Sequence, residues 1–103
     1  MSVKLLMHWD IKPGRDQDYF EFVIRDWLPG VNKIGVHPVW AWYTIYSRND
    51  DTAQITAEVV ADDLPTMRTA LGTEDWAKLH ERLLEYVQNY RHKVVRVTGD
   101  FQM

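Results

Sequence analysis

The sequence predicts an α+β sandwich: two β-α-β halves folded onto one antiparallel sheet, with the helices on one face. Three observations carry that expectation. Apolar alternation marks strands over 3–11 and 52–61. Apolar stripes at helical spacing mark helices over 16–28 and from 73 onward. A β-branched and aromatic run over 38–47 meets the strand over 52–61 across the polar turn Arg48-Asn49-Asp50-Asp51, as in a hairpin. A length of 103 residues suits one domain, 1–103, with a modest core.

In the first strand Val3, Leu5, Met7, Trp9 and Ile11 alternate with Lys4, Leu6, His8 and Asp10, so one face is apolar. Pro13-Gly14 then turns the chain. Asp16 and Asp18 sit where a helix N-terminus favours anions. Phe20, Val23, Ile24, Trp27 and Leu28 form the stripe of that helix, widened by Tyr19 and Phe22, and Pro29-Gly30 is expected to stop it. In the third strand Ala53, Ile55, Ala57 and Val59 alternate with Thr52, Gln54, Thr56 and Glu58. Asp63 fits an N-cap and Pro65 the first turn of a short helix that Gly72 ends. Thr73-Glu74-Asp75 opens a longer helix with Trp76, Leu79, Leu83, Leu84 and Val87 on one face. His92 to Thr98 reads as the last strand, and Gly99 to Met103 as a tail.

This order defines a ferredoxin-like β-α-β-β-α-β sandwich with a four-stranded antiparallel sheet. The apolar sets of the first and third strands meet the helices. The opposite sheet face then carries His8, Asp10, Gln54, Thr56 and Glu58. Residues 38–47 add to it either Trp40, Trp42, Thr44 and Tyr46 or Val39, Ala41, Tyr43 and Ile45. Either choice mixes large apolar side chains with charges. Such a face on one chain marks an interface, so two chains are expected to pack sheet against sheet as a homodimer.

Composition excludes several classes. Without cysteine there is no disulfide, thiolate metal site or thiol catalysis. A net charge of −3 argues against binding a nucleic-acid backbone. The third strand has no aromatic residue and only an acidic charge, unlike an RNA-recognition motif of the same element order. No apolar run approaches the ~20 residues that cross a bilayer, and no leader is visible, so a cytoplasmic location without membrane contact is expected.

The sharpest candidate for chemistry is His80. It lies near the middle of the stripe of Trp76, Leu79, Leu83, Leu84 and Val87, so its ring faces the sheet. It reads as a general base, an axial metal or haem ligand, or a core histidine satisfied by one hydrogen bond. His8 and Asp10, two apart on a strand, point to one face, where Gln54 and Glu58 could join them. They read as a catalytic or binding cluster, or as a network that sets dimer register. Trp40, Trp42, Tyr43 and Tyr46 could stack a flat aromatic ligand or pack an interface. Trp76 counts among the candidate substrate-binding residues, although with Trp9 and Trp27 it sits on a core-facing stripe. His37 and His92 fall at predicted strand ends, exposed. The four histidines lack metal-ligand spacing, so no metal is expected.

The stretches Lys12-Pro13-Gly14 and Glu74-Asp75-Trp76-Ala77-Lys78-Leu79-His80 resemble the dimeric α+β barrel superfamily, in the style of its antibiotic-biosynthesis-monooxygenase and NIPSNAP-like groups. The resemblance covers nearly the whole chain. It implies a homodimer whose two sheets form a barrel, and a pocket for a small apolar or aromatic molecule between sheet and helices of each subunit. It implies three functions: a cofactor-independent monooxygenase acting on an aromatic or polyketide-like substrate, a non-catalytic ligand-binding or structural dimer, or a haem-binding or haem-degrading protein. In the first, His80 is the foremost base, with His8 and Asp10 second. In the last, His80 matches the ligand-bearing position, but Met7 and His8 stand where those barrels use Asn. Fold alone does not choose among them.

Overall fold

A computed structural model describes residues 2–44 and 52–97, with Trp40 described by its backbone alone. Strand β1 spans Val3–Ile11. The first helical region follows as α1 (Asp16–Phe22), a π turn (Val23–Trp27) and α2 (Leu28–Ile34). Next come β2 (His37–Tyr43), β3 (Ile55–Ala61), α3 (Leu64–Leu71), α4 (Glu74–Leu83) and β4 (Val87–Arg96). The four strands pair antiparallel in the order β2-β3-β1-β4. This is the ferredoxin-like sandwich that the element order predicts.

Alternation settles the two sheet faces as expected. Val3, Leu5, Met7, Trp9 and Ile11 are buried, as are Ile55, Ala57, Val59 and Ala61. Tyr19, Phe22, Trp27, Val31, Met67, Ala70, Trp76, Leu79 and Leu83 close over them from the helices. Lys4, Leu6, His8 and Asp10 lie half-buried on the opposite face. The register also decides how β2 is turned. Ala41 and Tyr43 oppose the inward Ala57 and Ile55, whereas Trp40 and Trp42 oppose the outward Glu58 and Thr56.

Three boundaries differ from the sequence reading. Pro29-Gly30 does not stop the first helical region, which runs to Ile34 and ends at Gly35, whose φ of 102° only glycine adopts readily. Pro29 falls in the first turn of α2, where its missing N–H leaves little unsatisfied, just after the π turn in which Leu28 N–H bonds to Val23 O. Gly30 instead lets α4 approach: a Cβ there would lie 2.9 Å from Leu79 Cδ2. The last helix is shorter than its apolar stripe suggests, ending at Leu83. Leu84 is exposed, and Val87 already opens β4. The last strand therefore begins five residues before His92. The expected turn at 48–51 and the tail 99–103 lie outside the described residues, as do Ile45 and Tyr46.

The ladder between β1 and β4 slips between His8 and Asp10. Gln88 opposes Asp10, Asn89 takes a left-handed φ of 57°, and pairing resumes with Arg91 opposite His8.

The capping signals read from the sequence are in place. Asp63 Oδ1 accepts from Thr66 N–H at 2.8 Å and caps α3. Thr73 Oγ1 accepts from Trp76 N–H at 3.1 Å and caps α4.

Candidate functional site

The Thr73 cap fixes where α4 starts, and so which residues it turns toward the sheet. Trp76, Leu79 and Leu83 are buried, and His80 follows Trp76 by one turn on the flank nearest β4. From the other side, the bulge at Asn89 turns Tyr90 toward the helices. The His80 ring stacks on Trp76 with centroids 5.8 Å apart and meets Tyr90 edge-on at 4.4 Å. Tyr90 stacks on Trp9 at 6.0 Å, and Trp9 meets Trp27 edge-on at 6.0 Å. His92 Nδ1 and the Tyr90 hydroxyl share a hydrogen bond of 2.9 Å. The result is one continuous aromatic cluster with two imidazoles at its rim.

No charged side chain is buried among the described residues. Burial pushes the His80 pKa below its ordinary 6.5, and the neighbouring His92 adds to the shift. Burial also holds the Tyr90 phenol well above its ordinary range. At neutral pH the site therefore presents a neutral imidazole, the form able to take a proton. Its Nδ1 is buried without a hydrogen-bond partner, and so is Nε1 of Trp27. Leaving such a group unpaired costs about 1–3 kcal/mol, which a bound molecule with the right polar atoms recovers.

His8 and Asp10 share the outer sheet face but do not act on each other. His8 Nδ1 hydrogen-bonds Thr56 Oγ1 at 3.1 Å. Asp10 Oδ1 accepts from Gln54 N–H at 2.8 Å, and its Oδ2 accepts from Asn89 Nδ2 at 2.9 Å. Burial, then Arg91 and Lys93 across the ladder, pushes the His8 pKa down. Bonds from Asn89 and Gln54 hold Asp10 below the usual carboxylate range. A carboxylate that raised the pKa of a neighbouring imidazole would have had the opposite effect on His8. Gln54 joins Asp10, whereas Glu58 pairs with Lys4 at 3.1 Å.

The candidate aromatic residues that the structure describes do not form one site. Trp76 alone touches His80. Trp42 lies on the outer face and is 47% exposed. Tyr43 is exposed near the sheet edge, where its hydroxyl accepts from Gln54 Nε2 at 2.9 Å. Trp40 holds the ladder position opposite Glu58.

Sequence reasoning missed Tyr90 and misplaced His92, which stands mid-strand opposite Met7 rather than at a strand end. The bulge breaks the alternation that would have exposed them. Among the described residues no group of three or more His, Asp or Glu is arranged to hold a metal, and no helix is long and apolar enough to cross a membrane.

The same architecture is found in solved structures that share little of the sequence. An ethyl tert-butyl ether degradation (EthD) family protein from Bacillus halodurans is 17% identical, with 95% of this chain and 100% of that one covered, at a TM-score of 0.74. A NIPSNAP family protein from Agrobacterium tumefaciens is 13% identical, with 97% and 96% covered, at a TM-score of 0.75. A dimeric protein of unknown function with a ferredoxin-like fold, from Bacteroides fragilis, is 9% identical, with 93% and 96% covered, at a TM-score of 0.62. The chain thus has a ferredoxin-like fold, as these structures do. No protein-family model matches the sequence, and a search of curated proteins returns no match.

Proposed function

We propose that the protein is a homodimeric enzyme that binds a small, apolar aromatic molecule beside His80 and removes a proton from it, as a monooxygenase without a bound cofactor would. The observation that carries this reading is His80 itself: a neutral imidazole with an unpartnered, buried Nδ1 against Trp76 and Tyr90. Aromatic walls suit a planar substrate, and water-poor surroundings strengthen what hydrogen bonding there is.

The chemistry balances without a cofactor. His80 takes a proton from an activated C–H, leaving a resonance-stabilised carbanion. The carbanion gives its electrons to dioxygen and forms a carbon–oxygen bond. The peroxide anion recovers the proton from His80, and the hydroperoxide loses water to leave a new carbonyl group. The ring contacts with Trp76 and Tyr90 hold the imidazole in one orientation, which suits proton transfer.

The outer face supports the dimer. It presents Trp42, Leu6 and Val60 together with Lys4, Glu58, Arg91 and Lys93, a mixture that suits a second copy of the same sheet.

The test is oxygen uptake with an anthrone as substrate. Wild-type protein should consume dioxygen and form the anthraquinone in metal-free buffer, and His80→Ala should lose at least about a hundredfold in rate. Equal rates in the two proteins would remove His80 from the mechanism.

A further inference from the structure

Trp27 carries an unpartnered donor that packing does not explain. Its ring is 3% exposed, and its Nε1 has no hydrogen-bond partner. The neighbouring indole of Trp9 shows the ordinary solution, donating to the Tyr19 hydroxyl at 2.9 Å. Trp27 closes the π turn, a local widening of a helix that recurs at functional sites. Its ring meets Trp9, which stacks on Tyr90, which meets His80. The two orphaned side-chain atoms Trp27 Nε1 and His80 Nδ1 thus belong to one contiguous aromatic cluster. One is a donor only. The other belongs to an imidazole that takes or gives a proton.

We propose that Trp27 is a ligand-binding residue whose indole N–H donates to a carbonyl oxygen of the molecule held against His80. The inference rests on the functional reading above and adds to it a substrate class: a neutral planar ketone with an acidic hydrogen close to its carbonyl group. A substrate that enters as an anion does not fit, because no charged group is buried near the cluster to receive it. When His80 removes the proton, negative charge moves onto the carbonyl oxygen. A donor already aimed there stabilises that charge without rearrangement. Trp27 would then strengthen binding and speed proton removal, the second more than the first.

The experiment uses three probes that differ in one group: acetylnaphthalene with a neutral acceptor, ethylnaphthalene with none, and naphthoate with a charge. Calorimetric affinities are measured for wild type, Trp27→Phe and His80→Ala. The expected result is that Trp27→Phe weakens acetylnaphthalene about tenfold and leaves ethylnaphthalene close to its wild-type affinity, while melting somewhat lower than wild type, because the smaller ring also leaves a gap in the core. Naphthoate should bind each protein weakly. Should Trp27→Phe fail to fold, the assigned indole N–H proton of Trp27 is followed by NMR in wild-type protein; it should move downfield with acetylnaphthalene and stay put with ethylnaphthalene. Equal affinity of Trp27→Phe and wild type for acetylnaphthalene, or an unmoved Trp27 resonance at saturation, overturns the inference. If binding still depends on His80 in that case, the functional reading survives. If neither substitution nor probe matters, both fall.

Discussion

The indole N–H of Trp9 donates to the Tyr19 hydroxyl across 2.9 Å, tying the buried face of β1 to the first helix. Both side chains are almost fully buried, and burial pushes the Tyr19 phenol up to about 12, so it stays neutral at any working pH. Tyr19→Phe would leave the Trp9 donor without an acceptor in the core. The expected loss is about 1–3 kcal/mol, read from denaturant unfolding, with the fold unchanged by circular dichroism. A loss below about 0.5 kcal/mol would mean that the two rings hold each other by packing alone.

Acid should weaken the fold before it reaches the carboxylates. His8 and His80 both have folded-state pKa values below the ordinary 6.5. The unfolded chain therefore binds protons first as pH falls. Their contribution is complete above about pH 6.5 and is lost as pH drops through that value toward the folded-state pKa. Asp10, held low by hydrogen bonds, adds a second loss only below the usual carboxylate range. Denaturant midpoints at about pH 7.5 and about pH 5 measure the first effect, and replacing both histidines with glutamine should flatten the profile between them.

Trp42 tests the outer face. Light scattering on wild-type protein should report about twice the 12.2 kDa chain mass. Trp42→Lys should report a single chain while circular dichroism stays the same, because the side chain is 47% exposed in one copy. A wild-type mass of one chain would remove the dimer from the proposal.

Gly30 sets two effects against each other. Alanine should gain about 0.5–1 kcal/mol of helix stability. Its Cβ would also press on Leu79 Cδ2 from 2.9 Å. Leu79 borders a groove of about 400 Å³ between α2 and α4, so its end can swing aside. Gly30→Ala should therefore fall within about 1 kcal/mol of wild type, whereas the branched Gly30→Val should lose about 1–3 kcal/mol. Thermal melts of the two variants decide the order.

Much of the fold was legible because the central strands are regular. In β1 and β3 each inward residue is buried and each outward one is not, so period two names both faces. Asp63 and Thr73 likewise announced their helices by cap chemistry. What failed was local geometry without a side-chain signature. A π turn admits Pro29 without ending the helical region, although Pro-Gly usually marks a stop. At the site, His80 and Trp76 were visible as neighbours on one helix. Tyr90 was not, because an irregular strand brings it there and no spacing rule foretells a bulge. The pairing expected of His8 and Asp10 failed for another reason: sharing a face does not choose a partner when Thr56 engages His8 and Gln54 and Asn89 engage Asp10.

Asn89 works as a frameshift in three dimensions. Val87 and His92 are five residues apart, yet they oppose Ile11 and Met7, which are four apart and both point inward. The surplus residue inverts odd and even for the rest of β4. Pairing it into the ladder as an ordinary strand residue would carry Arg91 and Lys93 beneath the helices and send Tyr90 and His92 out to the other side. Whether His80 has aromatic company thus depends on where the ladder slips as much as on which residues follow the slip.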